Sequence, residues 1–231
     1  MLKEIRFENI LNYLKNNDIA EIEKMSKDLK ISLTTLRRDL SELEIENKIV
    51  KLHGGAKLVK EKLISEDFLE NKLQTNVEEK KQLAQIANRK IKANTTLFLD
   101  AGSNPYFLAK IIDPSLNLTI VTNSIINVQE LVKNGHQKIY LLGGKFTDVT
   151  GAILGYEAIE ALKNYAFDLS FVGVNAVDDQ GNVYTTSSDH AQIKIEIIKH
   201  SSKAFGLADS SKLHSKSFYK FTTIKDLEII S

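Results

Sequence analysis

Ile31-Ser32-Leu33-Thr34-Thr35-Leu36-Arg37-Arg38-Asp39-Leu40 divides its polarity between two sides of a helix. At a helical period Leu33, Leu36, Leu40 and Leu43 fall on one side, while Thr34, Thr35, Arg37, Arg38 and Ser41 point elsewhere. Ser32 is suited to the N-cap, so the polar set begins in the first turn, where unpaired backbone N–H groups favour a phosphate. Two adjacent arginines can bridge phosphates or make paired hydrogen bonds to guanine. An ordinary solvated helix can also expose arginine, so the flanking sequence has to decide between the two readings.

On the amino-terminal side, Phe7, Ile10, Leu11 and Leu14 repeat at i, i+3, i+4 and i+7, which predicts a first helix ending near Asn16-Asn17-Asp18. A short second helix is expected from about Glu21 to Leu29, with Ile22, Met25 and Leu29 facing in, and the third runs to about Glu46. Three helices with a tight turn before the third form a helix-turn-helix, whose third helix lies in the major groove. After Asn47-Lys48, residues 49–58 form two short alternating runs around Gly54-Gly55. That pattern predicts a two-stranded wing, with the glycines supplying positive φ in its turn and Lys51, His53 and Lys57 directed toward the DNA backbone. The candidate DNA contacts are Ser32, Thr34, Thr35, Arg37, Arg38, Lys51 and His53.

Composition limits the alternatives. The chain has 231 residues, 42% hydrophobic and 26% charged, ordinary for a globular protein with a sizeable core. With no cysteine there is neither a disulfide nor a thiolate metal site, and five histidines without paired spacing predict no metal. The first residues mix acid and base and no apolar run is long enough for a membrane span, so a cytoplasmic protein without membrane contact is expected. Net charge is +1, and residues 1–60 carry twelve Lys and Arg against ten Asp and Glu, so DNA affinity has to come from the arrangement of charge.

Residues 58–75 are charged, lack Gly and Pro, and predict a partly helical linker. A helix over Val77–Ile91 opens a second domain, in which short apolar runs (Thr96–Asp100, Leu118–Thr122, Ile139–Leu142, Asp168–Val174, Ala204–Ala208, Leu227–Ile230) alternate with helical segments near Pro105–Ile112, Ile126–Asn134, Glu157–Asn164 and Ala191–Ser201. Such alternation predicts a mainly parallel α/β sheet, whose ligands sit at the carboxyl ends of the strands. Polar and glycine residues gather at those ends: Asp100, Gly102, Ser103 and Asn104 before a helix expected to begin at Pro105, then Thr122, Asn123, Gly143, Gly144, Gly155, Asn175, Asp209 and Lys212. Together they describe one polar pocket able to hold a phosphate. Neither GxGxxG nor a P-loop is present, so no NAD, ATP or other cofactor is expected.

Thr35-Leu36-Arg37-Arg38-Asp39-Leu40 followed by His53-Gly54-Gly55-Ala56 resembles the signature of the DeoR family of bacterial transcription regulators. Further on, Phe98-Leu99-Asp100-Ala101-Gly102-Ser103, Val121-Thr122-Asn123-Ser124, Leu141-Leu142-Gly143-Gly144, Gly173 to Gly181 and Ala208-Asp209-Ser210-Ser211-Lys212 resemble that family's sensor domain. The resemblance implies a winged helix-turn-helix over 1–57, a linker over 58–75, and over 76–231 an effector-binding and oligomerisation domain similar in fold to ribose-5-phosphate isomerase. It also implies double-stranded operator DNA and a phosphorylated sugar as partners, and a homo-oligomer, dimer or tetramer. Gly102, Ser103 and Asn104 would hold the phosphate, while Asp100, Asn123, Lys194, Asp209 and Lys212 would meet the sugar or order the pocket. Departures from the family pattern are Lys51 and Asn71, where relatives carry Arg, and His190, where they carry Glu. The chain also ends at Ser231, short of a last strand that the family pattern carries, so an incomplete sheet edge is expected. The leading function is a repressor of a sugar-metabolism operon. The alternatives are an isomerase-like enzyme with a DNA-binding head, and a DNA-binding scaffold that senses nothing. The isomerase's acidic cluster falls on Gly173-Val174-Asn175-Ala176, which has no carboxylate, so no catalytic residue is expected.

Overall fold

A computed structural model describes residues 2–17, 19–46, 48–58 and 66–231, with Asn16 described by its backbone alone. Asp18 at the end of the first expected helix, Asn47 before the wing and 59–65 of the expected linker lie outside the described residues. The chain divides into two compact units, Met1–Lys62 and Leu63–Ser231.

The first unit runs α1 (Lys3–Asn16), β1 (Ala20–Glu21), α2 (Ile22–Asp28), α3 (Leu33–Ile45), β2 (Ile49–Leu52) and β3 (Gly55–Leu58). It is a helix-turn-helix whose wing is completed by an unpredicted strand, since β1 pairs with β3 and gives the antiparallel order β1-β3-β2. Ile10, Leu14, Met25, Leu36, Leu40 and Leu43 close the core at 1% exposure or less. Leu33 departs from the expected apolar side at 39% exposure, because it is the first residue of α3 and precedes the covered stretch that starts at Leu36. The two glycines of the wing serve different ends. Gly54 turns the chain at φ +78, whereas Gly55 lies in β3, where an added Cβ would stand 3.0 Å from the Ala20 carbonyl oxygen.

The second unit begins with α4 (Leu69–Gln74) and α5 (Val77–Asn88), then β4 (Thr96–Leu99), α6 (Ser103–Ala109), β5 (Thr119–Thr122), α7 (Ile125–Lys133) and β6 (Ile139–Leu141). The hairpin β7 (Lys145–Thr147) and β8 (Ala152–Leu154) follows, with α8 (Tyr156–Leu162), β9 (Phe167–Gly173), β10 (Ala176–Val177), β11 (Asn182–Thr185), α9 (Ser188–Lys199), β12 (Ser201–Leu207), β13 (Tyr219–Thr223) and β14 (Glu228–Ile230). The six expected strands form one parallel sheet in the order β14-β12-β9-β4-β5-β6, with β14 paired to β12 at one edge.

Alternation along the strands sends Leu97, Leu99 and Phe171 to a layer with α5, α6 and α7, and Phe98 and Val172 to a layer with α8 and α9. The sequence did not reveal β7–β8 or the second small sheet, β10-β11-β13, whose strands are short. Among the described residues no helix is long and apolar enough to cross a membrane.

Candidate functional site

In the first unit, Ser32 caps α3, its hydroxyl oxygen accepting from Thr35 N–H at 3.3 Å and its O–H donating to Thr35 Oγ1 at 2.8 Å. Thr34, Arg37 and Arg38 are exposed, and neither arginine has an ion-pair partner among the described residues. The covered face holds a charge that sequence reading overlooked. Asp39 is fully buried and receives both ends of the Arg6 guanidinium, at 2.6 Å and 3.0 Å, which ties α1 to α3. That bond holds the Arg6 pKa above its ordinary value. Asp39 could have been noticed, since it stands three residues past Leu36 and four before Leu43, on the apolar face. Lys51 donates from its ammonium to Ser41 Oγ at 3.0 Å and from its backbone to Glu44 at 2.9 Å, so it lies against α3. His53 is exposed in the wing turn, and Lys57 is half-buried.

In the second unit a cleft opens at the carboxyl ends of β4 and β9. Of the residues chosen from the sequence, Gly102, Ser103, Asn104, Asn175, Lys194 and Lys212 line it, joined by His190, Thr150, Lys72 and Glu66. The helix expected to start at Pro105 begins two residues earlier, because Gly102 at φ +141 turns the chain into α6 and Ser103 is its first residue. The first helical bond runs from Tyr106 N to Gly102 O at 3.1 Å, so the N–H groups of Gly102, Ser103 and Asn104 have no acceptor within the helix. Asn104 donates to Leu207 O at 3.1 Å and Asp209 Oδ2 at 3.4 Å, while its buried Oδ1, like Thr150 Oγ1, has no hydrogen-bond partner among the described residues.

Other chosen residues stand behind the lining and hold it. Asp100, 1% exposed, forms a buried ion pair with Lys194 and accepts from Ala101 N at 2.8 Å and Gly173 N at 3.0 Å, while Lys194 also donates to Gly173 O at 2.9 Å. The ends of β4, β9 and α9 are thereby joined. Asn123 Oδ1 accepts from Ala101 N at 2.8 Å, and Thr122 donates to Leu99 O at 2.5 Å. Burial pushes the Asp209 carboxyl up, but the Ser211 hydroxyl, Lys212 and Lys80 outweigh it and hold the pKa below its usual value. Gly143, Gly144 and Gly155 lie outside the lining. Gly144, at φ +142, permits close packing, since a Cβ there would meet Leu154 O at 2.6 Å.

Elements expected from the sequence also bring groups to the cleft or its support that were not among the chosen site residues. His190, in the first turn of α9 behind the Ser187 cap, faces the cleft, and burial, with Lys194 adding, pushes its pKa down to about 4. Lys80, only 3% exposed, donates to Lys72 O at 2.5 Å and to Thr75 O, and burial lowers its pKa. Its spacing to Leu83, Ala84 and Ala87 was the available signal. Glu66 and Lys72 had no comparable signal, because the charged stretch around them has no clear periodicity.

Comparison with known proteins covers both units. Residues 6–62 match the model of a DeoR-like helix-turn-helix domain, and residues 75–231 match that of the DeoR C terminal sensor domain. The HTH-type transcriptional repressor GlcR of Bacillus subtilis (strain 168) is 32% identical, over 100% of this chain and 88% of its own length. The lactose phosphotransferase system repressor of Staphylococcus epidermidis is 31% identical, over 100% and 92%. Among solved structures, ribose 5-phosphate isomerase A from Methanocaldococcus jannaschii is similar with a TM-score of 0.43 at 17% identity, over 60% of this chain and 55% of that one.

Proposed function

This chain belongs to the DeoR family of transcription regulators, and from that premise we propose that it represses a sugar-metabolism operon under the control of a phosphorylated sugar bound in the cleft of its second unit. The observation that carries the DNA half is the Arg37–Arg38 pair. Both are exposed without an ion-pair partner among the described residues, on a helix whose other face is closed by Leu36, Asp39, Leu40 and Leu43. Arg6, by contrast, is committed to Asp39. Ser32, Thr34, Thr35, Lys51 and His53 complete the proposed contact surface. Two such heads in a dimer or tetramer would read half-sites about one helical turn apart, so the operator is an inverted or direct repeat.

Support for the ligand comes from the lining of the cleft. The N–H groups of Gly102, Ser103 and Asn104, with Lys72 and Lys212, offer donors to a phosphoryl group. The unpaired Asn104 Oδ1 offers an acceptor to a sugar hydroxyl. Asp100, Thr122, Asn123, Lys194 and Asp209 order those loops, and Gly143, Gly144 and Gly155 shape the backbone behind them. The ligand shifts repression only by binding two arrangements of the protein unequally.

The experiment is operator binding by fluorescence anisotropy at several salt concentrations, with and without a panel of sugar phosphates. Arg38→Ala is expected to weaken binding by about 1–3 kcal/mol if it meets a base, and to reduce the salt slope if it meets a phosphate. A sugar phosphate at 100 times its Kd adds about 2.7 kcal/mol of stability. Unchanged operator affinity in Arg38→Ala at every salt concentration removes Arg38 from the contact surface, and the absence of any thermal shift across the panel leaves the scaffold reading. Turnover of a pentose or hexose phosphate that Asp209→Ala abolishes would favour the isomerase reading instead.

A further inference from the structure

A carboxylate already stands in the cleft. Glu66 accepts hydrogen bonds there from the Lys72 ammonium, the Thr186 hydroxyl and, at 3.5 Å, the Asn175 amide. Ammonium, hydroxyl and amide are the donor types a phosphoryl group takes. Glu66 and Lys72 have 18% and 21% side-chain exposure, so the pair is shielded, unlike the solvated ion pairs of the surface.

The stretch that follows Glu66 is pinned at Leu69, Lys72 and Thr75. Leu69 N–H donates to Val149 O at 2.8 Å, and Leu69 Cδ2 lies 2.9 Å from where a Cβ on Gly151 would be. Lys80 grips the backbone at Lys72 and Thr75. With Glu66 in place the cleft encloses about 60 Å³. That is room for a few water molecules, far below the roughly 300 Å³ at which small-molecule sites begin.

The geometry points to Glu66 as an internal stand-in for the anionic group of the ligand. It occupies Lys72, Asn175 and Thr186 until a phosphate monoester takes them, and the ligand enters only as the Glu66 side chain leaves. This inference rests on the reading of the cleft as a phosphate-binding site. A dianion beside the Glu66 carboxylate would meet like-charge repulsion as well as too little space, so the two occupants exclude each other. Seating of Glu66 and occupancy of the cleft are then coupled, each weakening the other by the same factor.

The test uses the full chain, calorimetric titration with inorganic phosphate and with ribose 5-phosphate at constant ionic strength, and the variants Glu66→Gln and Glu66→Ala. Both variants are expected to bind phosphate about tenfold more tightly, because the fraction of open clefts no longer limits binding. Equal or weaker phosphate binding by the variants, with the unmodified protein still binding, overturns the role of Glu66 and leaves the cleft reading standing. Failure of all three proteins to take up either anion overturns the cleft reading itself.

Discussion

Asp39 and His190 show how one residue can set the behaviour of its surroundings. Asp39 is fully buried and bonded at both oxygens to Arg6, so removing its charge takes the carboxylate away from a guanidinium that is only 14% exposed. Asp39→Asn is expected to lower the melting temperature of the first unit by roughly 10 °C or more, whereas Arg38→Ala leaves it unchanged. Thermal denaturation followed by circular dichroism checks both. His190 has its pKa pushed down to about 4 from 6.5, so between those values the unfolded chain takes up a proton that the folded one refuses. Its contribution to stability is therefore complete above pH 6.5, falls as pH drops toward 4, and amounts to at most about 3 kcal/mol. NMR titration of the His190 ring, with chemical denaturation at pH 7 and pH 4.5, reads the effect, and His190→Gln should flatten the pH dependence.

Between residues and domains, tight turns and short helices position the cleft. The turn between β6 and β7 brings Gly144 against β8, and an added methyl would meet the Leu154 carbonyl at 2.6 Å with the backbone at φ +142. Gly144→Ala is expected to cost about 2 kcal/mol or more in the second unit, measured by urea denaturation. The stretch from Glu66 through α4 depends on Lys80, whose ammonium is bonded to the Lys72 and Thr75 carbonyls. Lys80→Met leaves both carbonyls without that donor, and exchange at the Leu69 amide should rise by about tenfold or more while amides of β4 and β9 keep their protection.

Periodicity reported α3 and α5 well, since each buries one apolar face, and the strands of the parallel sheet showed as short apolar runs between helical segments. The strands β1, β7, β8, β10 and β11, of two to four residues, lie outside the parallel sheet in small antiparallel pairings, and they were seen only in three dimensions.

For the whole molecule, the division at residue 62 leaves each unit with hydrophobic clusters of its own, one in the first unit and two, on the faces of the parallel sheet, in the second. Calorimetry of the full chain should therefore show two transitions, with Asp39→Asn moving one and Gly144→Ala the other. A single transition displaced by both variants would mean that the units melt together.

By itself the sequence determined what neighbouring residues dictate: the recognition helix with its Ser32 cap, the wing around Gly54, and the order of strands and helices that makes a parallel sheet. It also placed the polar residues at the strand ends, because that topology brings carboxyl ends to one edge. Only the tertiary structure decided which of those residues face the cleft and which stand behind it. Asp100 and Lys194 neutralise each other across 94 positions, and Glu66 reaches Thr186 across 120. Such pairings depend on how the sheet and helices pack, and no local pattern of hydrophobicity or charge encodes them.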